Sequence, residues 1–133
     1  MHKYVKIKVK STYIASWSNP IKSYYLFSYE IKIINNNSFP IELLSRHWNI
    51  KDAQGGVEDI YGPGVVGKQP IIEPGKDFEY RSFCPLKTPI GFMKGEFCMI
   101  DDKKKEFDIE IKTFKLSVPV SYTHLTLPTI YSV

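Results

Sequence analysis

The stretch "GPGVVGKQPIIEPG", Gly62 to Gly75, decides the fold. Its first six residues match the G-x-G-x-x-G spacing of a dinucleotide-binding loop. In a doubly wound α/β protein such glycines sit between a strand and a helix, and the helix N-terminus offers amide donors and a favourable dipole to a pyrophosphate. Here the chain continues through Lys68, Gln69, Pro70, Ile71, Ile72, Glu73, Pro74 and Gly75. Two prolines and a Pro-Gly turn forbid a helix of useful length. No acidic ribose-binding residue follows a second strand at the required distance. The dinucleotide reading therefore fails in its usual form.

Outward from the loop the chain reads as strands. In "YVKIKVKSTYI" (Tyr4–Ile14), Val5, Ile7 and Val9 face one way and Lys6, Lys8 and Lys10 the other, a half-buried strand with a lysine-coated outer face. "YYLFSYEIKII" (Tyr24–Ile34) sets Phe27, Tyr29, Ile31 and Ile33 on one side, and "NNNSFP" (Asn35–Pro40) is a turn cluster. "IELLSRHWNIKD" (Ile41–Asp52) and "VEDIY" are strands running into the glycine loop. "EPGKDFEYRSF" (Glu73–Phe83) turns at Pro-Gly into another, with Phe78 and Tyr80 inward. "GFMKGEFCMIDD" and "KEFDIEIKTFKLSV" flank "DDKKK" as a hairpin. About seven antiparallel strands without sustained helical periodicity make an all-β sandwich, immunoglobulin- or fibronectin-III-like. With no Cys–Cys bridge expected between central strands, the fibronectin type is favoured.

At 133 residues the chain suits one domain. With 43% hydrophobic and 24% charged residues it is ordinary globular material rather than a disordered chain. Its net charge of +4 comes from lysines that alternate with apolar residues instead of clustering, so no nucleic-acid partner is expected. No run approaches the roughly 18 apolar residues of a membrane span, so no membrane insertion is expected. No basic leader precedes an apolar run either, and the expectation is a reducing cytoplasm with free thiols. Cys98, in an alternating stretch, reads as a small core residue, and Cys84 as a loop residue before Pro85.

The final "VSYTHLTLPTIYSV" (Val120–Val133) has no Lys, Arg, Asp or Glu. It resembles a translated sequencing adapter: the bases GTC TCT TAT ACA CAT CTG ACG CTG CCG ACG read as Val120 to Thr129, and an index supplies the codons before Val133. The rival reading is a native, threonine-rich strand. Residues 1–119 are therefore expected to be the domain and 120–133 a non-native tail. On that reading Tyr122 and His124 have no role and the native residues after Pro119 are missing.

The segments "SRHW", "GPGVVGKQP", "PGKDFEY", "TPIGFMKG" and "FKLSVP" follow in the order of one known family, and over Tyr4 to Pro119 the chain resembles ApaG. That resemblance implies a fibronectin-III-like sandwich, a glycine motif once linked to nucleotide pyrophosphate, and an association with cobalt and magnesium tolerance. The same domain occurs in some F-box proteins and in a polymerase-delta-interacting protein, which points to adaptor work.

Two readings of the glycine loop stand. In one, Gly62, Gly64 and Gly67 supply positive φ and close backbone approach where the chain crosses between sheets. In the other, successive amides form an anion nest, with Lys68 and Arg46 neutralising a phosphate or nucleotide. In "SRHW", alternation puts Leu44, Arg46, Trp48 and Ile50 on one face and Ser45, His47 and Asn49 on the other. Trp48 reads as core. Arg46 among apolar neighbours requires a bulge, or a carboxylate such as Glu58, Asp59 or Glu79. Alternatively Arg46 and His47 border a ligand groove, since arginine reaches carboxylate and phosphate alike.

Catalytic and metal sets are missing from the pattern. There is no nucleophile elbow, Walker loop, HxxxH or CxxC, and apart from His124 the histidines are His2 and His47. The adjacent pairs Glu58-Asp59 and Asp101-Asp102 point to opposite faces of a strand. The expectation is a non-enzymatic protein with no catalytic residues, metal or cofactor. Its function is expected to be docking of another protein, through a strand edge or an aromatic patch around Tyr24, Tyr25 and Phe92. The alternative is a sensor of a phosphorylated ligand at the glycine loop.

Overall fold

A computed structural model of the chain describes residues 4–121, and His2, Tyr122 and His124 lie outside them. The elements in order are β1 (Val5–Tyr13), β2 (Tyr25–Asn35), β3 (Ile41–Asp52), β4 (Val57–Pro63), β5 (Ile71–Ile72), β6 (Asp77–Leu86), β7 (Ile90–Asp101) and β8 (Glu106–Ser117). Two antiparallel sheets result, β1-β2-β6 and β4-β3-β7-β8, with β5 pairing β3. They form a β-sandwich. Seven strands answer to the stretches read from the sequence. The eighth, β5, is two residues between Pro70 and Pro74, too short to show an alternation.

Alternation explains which face each strand buries. Lys6, Lys8 and Lys10 are exposed while Val5, Ile7 and Val9 pack on the core. From β2, Phe27, Tyr29, Ile31 and Ile33 meet Ile41, Leu43 and Trp48 of β3 and Met93, Phe97 and Met99 of β7. Trp48 is the centre, 2% exposed, edge-on to Tyr29 at 5.3 Å and to Phe114 at 5.8 Å. Removing such a ring to alanine costs about 3–5 kcal/mol.

Two local devices set up the loop region. The β3–β7 register slips between Leu43 and Ser45, so Leu44 is an extra residue. Ile41 and Leu43 point into the core before the bulge, and Trp48 and Ile50 after it. The turn after β2 is clamped by Asn35, which is fully buried. Its Nδ2 donates to the carbonyls of Phe39 (2.8 Å) and Ile72 (2.9 Å), and its Oδ1 accepts from the Asn37 amide at 2.9 Å.

The cysteines are the reverse of the sequence expectation. Cys84 is not in a loop: β6 runs on through Pro85 to Leu86, and Cys84 is a core residue whose burial pushes its thiol up to about 12. Cys98 is not core. It lies on the outer face between the core residues Phe97 and Met99, opposite Asp108. The apolar run Phe97-Cys98-Met99-Ile100 has no polar residue to mark its outward side.

Between β1 and β2 the chain makes two 3₁₀ turns, Ala15–Trp17 and Pro20–Lys22. Ser18 ties this crossover down: its Oγ accepts from the Leu26 amide (2.9 Å) and donates to the Ile14 carbonyl (2.8 Å).

Candidate functional site

Past the bulge in β3, Arg46 lies on the same side as Trp48 by alternation, directly across from Gly62 of β4. The guanidinium lies over that glycine: a Cβ at Gly62 would stand 2.9 Å from Nη2. Nη1 then donates to the carbonyls of Pro63 (3.0 Å) and Gly64 (2.8 Å). The partner of Arg46 is therefore the loop backbone, not Glu58, Asp59 or Glu79. Backbone carbonyls occupy Nη1, with no carboxylate among its hydrogen-bond partners.

The loop itself is a tight reversal. The Val65 amide donates to the Lys68 carbonyl at 2.8 Å and the Lys68 amide back to Val65 at 2.9 Å. Val66 (φ 44°) and Gly67 (φ 78°) are both left-handed, the geometry of a two-residue type I′ hairpin. Gly64 (φ 56°) has no room for a side chain, because a Cβ would sit 2.0 Å from the Lys68 carbonyl oxygen. Its amide donates to Leu44, the bulged residue, at 2.8 Å. Turn geometry and close approach account for all three glycines of the motif. The Val65 and Lys68 amides are spent inside the loop and the Gly64 amide on Leu44 of β3, which leaves those of Val66 and Gly67 at the tip.

His47 lies on the opposite, outer face of β3. Its ring stacks on Tyr61 at 4.2 Å and 4°. Nε2 is 2.9 Å from Asp59 Oδ1, and Nδ1 is 4.0 Å from Glu96. Asn49 Nδ2 also donates to Asp59 Oδ1 (3.1 Å). These hydrogen bonds, that from His47 first, hold the Asp59 carboxyl below its ordinary value. A shallow depression of about 260 Å³ beside this cluster is lined by Ser45, Arg46, His47, Tyr61, Glu96 and Asp108, among others. Two carboxylates, Glu96 and Asp108, share this lining with Arg46 and His47.

So the structure gathers Gly62, Gly64, Gly67 and Lys68 into one loop with Arg46 against it, while His47, on the outer face of the sheet, shares with Arg46 and Gly62 the lining of the shallow depression. Among the described residues no three His, Cys, Asp or Glu side chains stand together as a metal set. Nor is any helix there long and apolar enough to cross a membrane.

The sequence reading missed another surface. Trp17, 66% exposed, stacks on Phe83 of β6 at 6.2 Å and 28°, and Ile21, in the second 3₁₀ turn of the crossover, is 96% exposed. Of the aromatic patch expected from sequence, Tyr24 and Phe92 are exposed and Tyr25 is half-buried. The available signal was Trp17 in the polar run "ASWSNP", where no strand alternation demands it.

Comparison with known proteins gives a family. Residues 15–101 match the family model described as the ApaG domain. Protein ApaG of Anaeromyxobacter dehalogenans is 46% identical over 117 residues, 88% of this chain and 92% of that protein. Protein ApaG of Bdellovibrio bacteriovorus is 44% identical over 116 residues, 87% and 91%. The crystal structure of a Bordetella pertussis protein described as ApaA superposes with a TM-score of 0.85 at 39% identity, covering 86% of this chain and 94% of that one.

Proposed function

The chain belongs to the ApaG family, and from that premise we propose that it is a cytoplasmic, non-enzymatic interaction module that acts in cobalt and magnesium tolerance by docking another protein. The observation that carries this reading is the Trp17–Phe83 stack. Trp17 and Ile21 lie in a crossover pinned to β2 through Ser18, and Phe83 is fixed on β6. Rigid exposed aromatics of this kind anchor protein interfaces. The strand order β1-β2-β6 over β4-β3-β7-β8 is, on our reading, fibronectin-III-like, a frame that presents loops and edges rather than a deep cleft.

The alternative is a small-ligand sensor that binds a nucleotide or pyrophosphate through Gly62, Gly64, Gly67 and Lys68. What favours it is the pair of tip amides at Val66 and Gly67 in a loop that also carries the exposed Lys68. Against it, the Arg46 Nη1 donor and the other loop amides are already engaged.

Complementation separates the two. A bacterial strain deleted for its own ApaG protein is scored for growth in cobalt with the wild-type chain, a Trp17→Ser/Phe83→Ser variant and a Lys68→Ala variant. Docking requires the aromatic variant to lose complementation while folded and Lys68→Ala to keep it. The opposite pattern would reject docking in favour of sensing.

A further inference from the structure

The strand edges of the two sheets are not alike. β1 carries Lys6, Lys8 and Lys10, β8 carries Lys112 and Lys115, and β6 carries Arg81 and Pro85. Lysine and proline on an edge discourage another strand from pairing there. β4 reads Val57-Glu58-Asp59-Ile60-Tyr61-Gly62-Pro63, with no lysine or arginine and a proline only at its end. All of it except Gly62 is exposed, including Val57 (55%), Ile60 (37%) and Tyr61 (73%).

The backbone of β4 has a definite outward set. The Asp52 amide donates to the Gly56 carbonyl (2.9 Å) and the Gly64 amide to Leu44 (2.8 Å), at the two ends of the β3–β4 ladder and in its register. In an antiparallel ladder hydrogen-bonded pairs alternate with unbonded ones. Glu58, Ile60 and Gly62 therefore bond to β3, and Val57, Asp59 and Tyr61 turn their N–H and C=O groups outward. Beside this edge a depression of about 210 Å³ runs between Val57 and Glu58 on one side and Pro85, Leu86 and Lys87 on the other.

Charge selects the occupant. Two β4 edges meeting antiparallel would bring together Glu58 and Asp59 of both copies, and like charges across strands destabilise pairing. A basic strand does the reverse. Asp59 is bonded to His47 and Asn49 through Oδ1 alone, so Oδ2 has no partner among these contacts. We propose that the β4 edge takes up, by antiparallel strand addition, an extended segment of a partner protein in which two adjacent basic residues are flanked by aliphatic ones. The basic pair sits opposite Asp59 and Glu58, one on each face of the sheet, and the aliphatic residues sit opposite Tyr61 and Ile60. Backbone bonds to Val57, Asp59 and Tyr61 supply affinity, and the charges supply register and selectivity. The inference rests on the interaction-module reading but uses a surface separate from Trp17 and Phe83.

The test is an amide NMR titration of the full chain with the capped heptapeptide TVIRKVT, and with TVIEDVT as its charge-reversed control. The basic peptide is expected to give saturable shifts along β4 and to slow hydrogen exchange at Val57, Asp59 and Tyr61, while Glu58 and Ile60, already bonded to β3, change little. The acidic peptide is expected to bind about three- to tenfold more weakly, and Glu58→Gln/Asp59→Asn to remove that difference. Flat spectra at millimolar basic peptide, equal binding of both peptides, shifts confined to the Trp17–Phe83 surface, or β4 shifts that follow protein concentration without peptide would each overturn the proposal. None of these outcomes alters the complementation result expected for Trp17 and Phe83, so the two readings fail separately.

Discussion

Substituting alanine at Gly64 and at Gly67 should have unequal costs, and the inequality tests whether the glycine motif is a hairpin turn. Both residues have positive φ, 56° and 78°. Holding alanine there costs about 1–2 kcal/mol, offset in part by the lower entropy of the unfolded alanine chain. At Gly67 nothing lies within 4 Å of the added Cβ, so the net loss is about 1 kcal/mol. At Gly64 the Cβ meets the Lys68 carbonyl oxygen at 2.0 Å. Relief requires that carbonyl to move, which breaks its bond from the Val65 amide, and Val65 is fully buried. An orphaned buried amide adds roughly 1–3 kcal/mol, so the total is about 2–4 kcal/mol. Urea unfolding followed by tryptophan fluorescence, with Trp48 as the buried reporter, measures both variants. Equal losses would refute the turn geometry, because an open nest puts no carbonyl against Gly64.

Three further outcomes follow from the same contacts. Val66→Asn should stabilise the protein by about 1 kcal/mol, seen as a rise of a few degrees in melting temperature, because Asn-Gly suits a type I′ turn and a β-branched residue at φ 44° does not. Asn35→Ala should cost about 2–4 kcal/mol in the same urea assay, since it strips partners from the carbonyls of Phe39 and Ile72 at a fully buried position. The Asp59 carboxyl is depressed in the folded protein, so its bonds to His47 and Asn49 persist above the ordinary aspartate value of about 3.9 and are lost only as pH falls through the lower folded value. A carbon-detected titration of Asp59 should show a midpoint below 3.9 that moves up in His47→Ala; an unmoved midpoint would contradict the role given to His47.

The sandwich was legible because side chains of a half-buried strand alternate with period two, and Lys6, Lys8 and Lys10 mark the outward phase without ambiguity. Where both phases are apolar the phase is lost, as at Phe97-Cys98-Met99, and Cys98 was put on the wrong side. The bulge at Leu44 has no such mark, and it leaves Arg46 on the face it shares with Trp48; of the two expectations for that arginine, pairing holds, with backbone carbonyls in place of a carboxylate. A glycine motif has the same limit. Its spacing says that the chain turns tightly, but whether N–H or C=O groups point at the neighbouring cation depends on φ and ψ. Here the carbonyls of Pro63 and Gly64 face Arg46. Trp17 and the β4 edge carry no periodic signal, since exposure of a loop residue or of one side of a sheet is decided by tertiary packing.

The most direct measurement of the central claim, that the glycine motif is a turn in a docking module, is an amide NMR titration of the chain against pyrophosphate and ATP. Spectra unchanged at Val66, Gly67 and Lys68 up to millimolar ligand are the result expected here. Saturable shifts confined to those residues and Arg46, abolished in Lys68→Ala, would contradict it and make the loop an anion sensor.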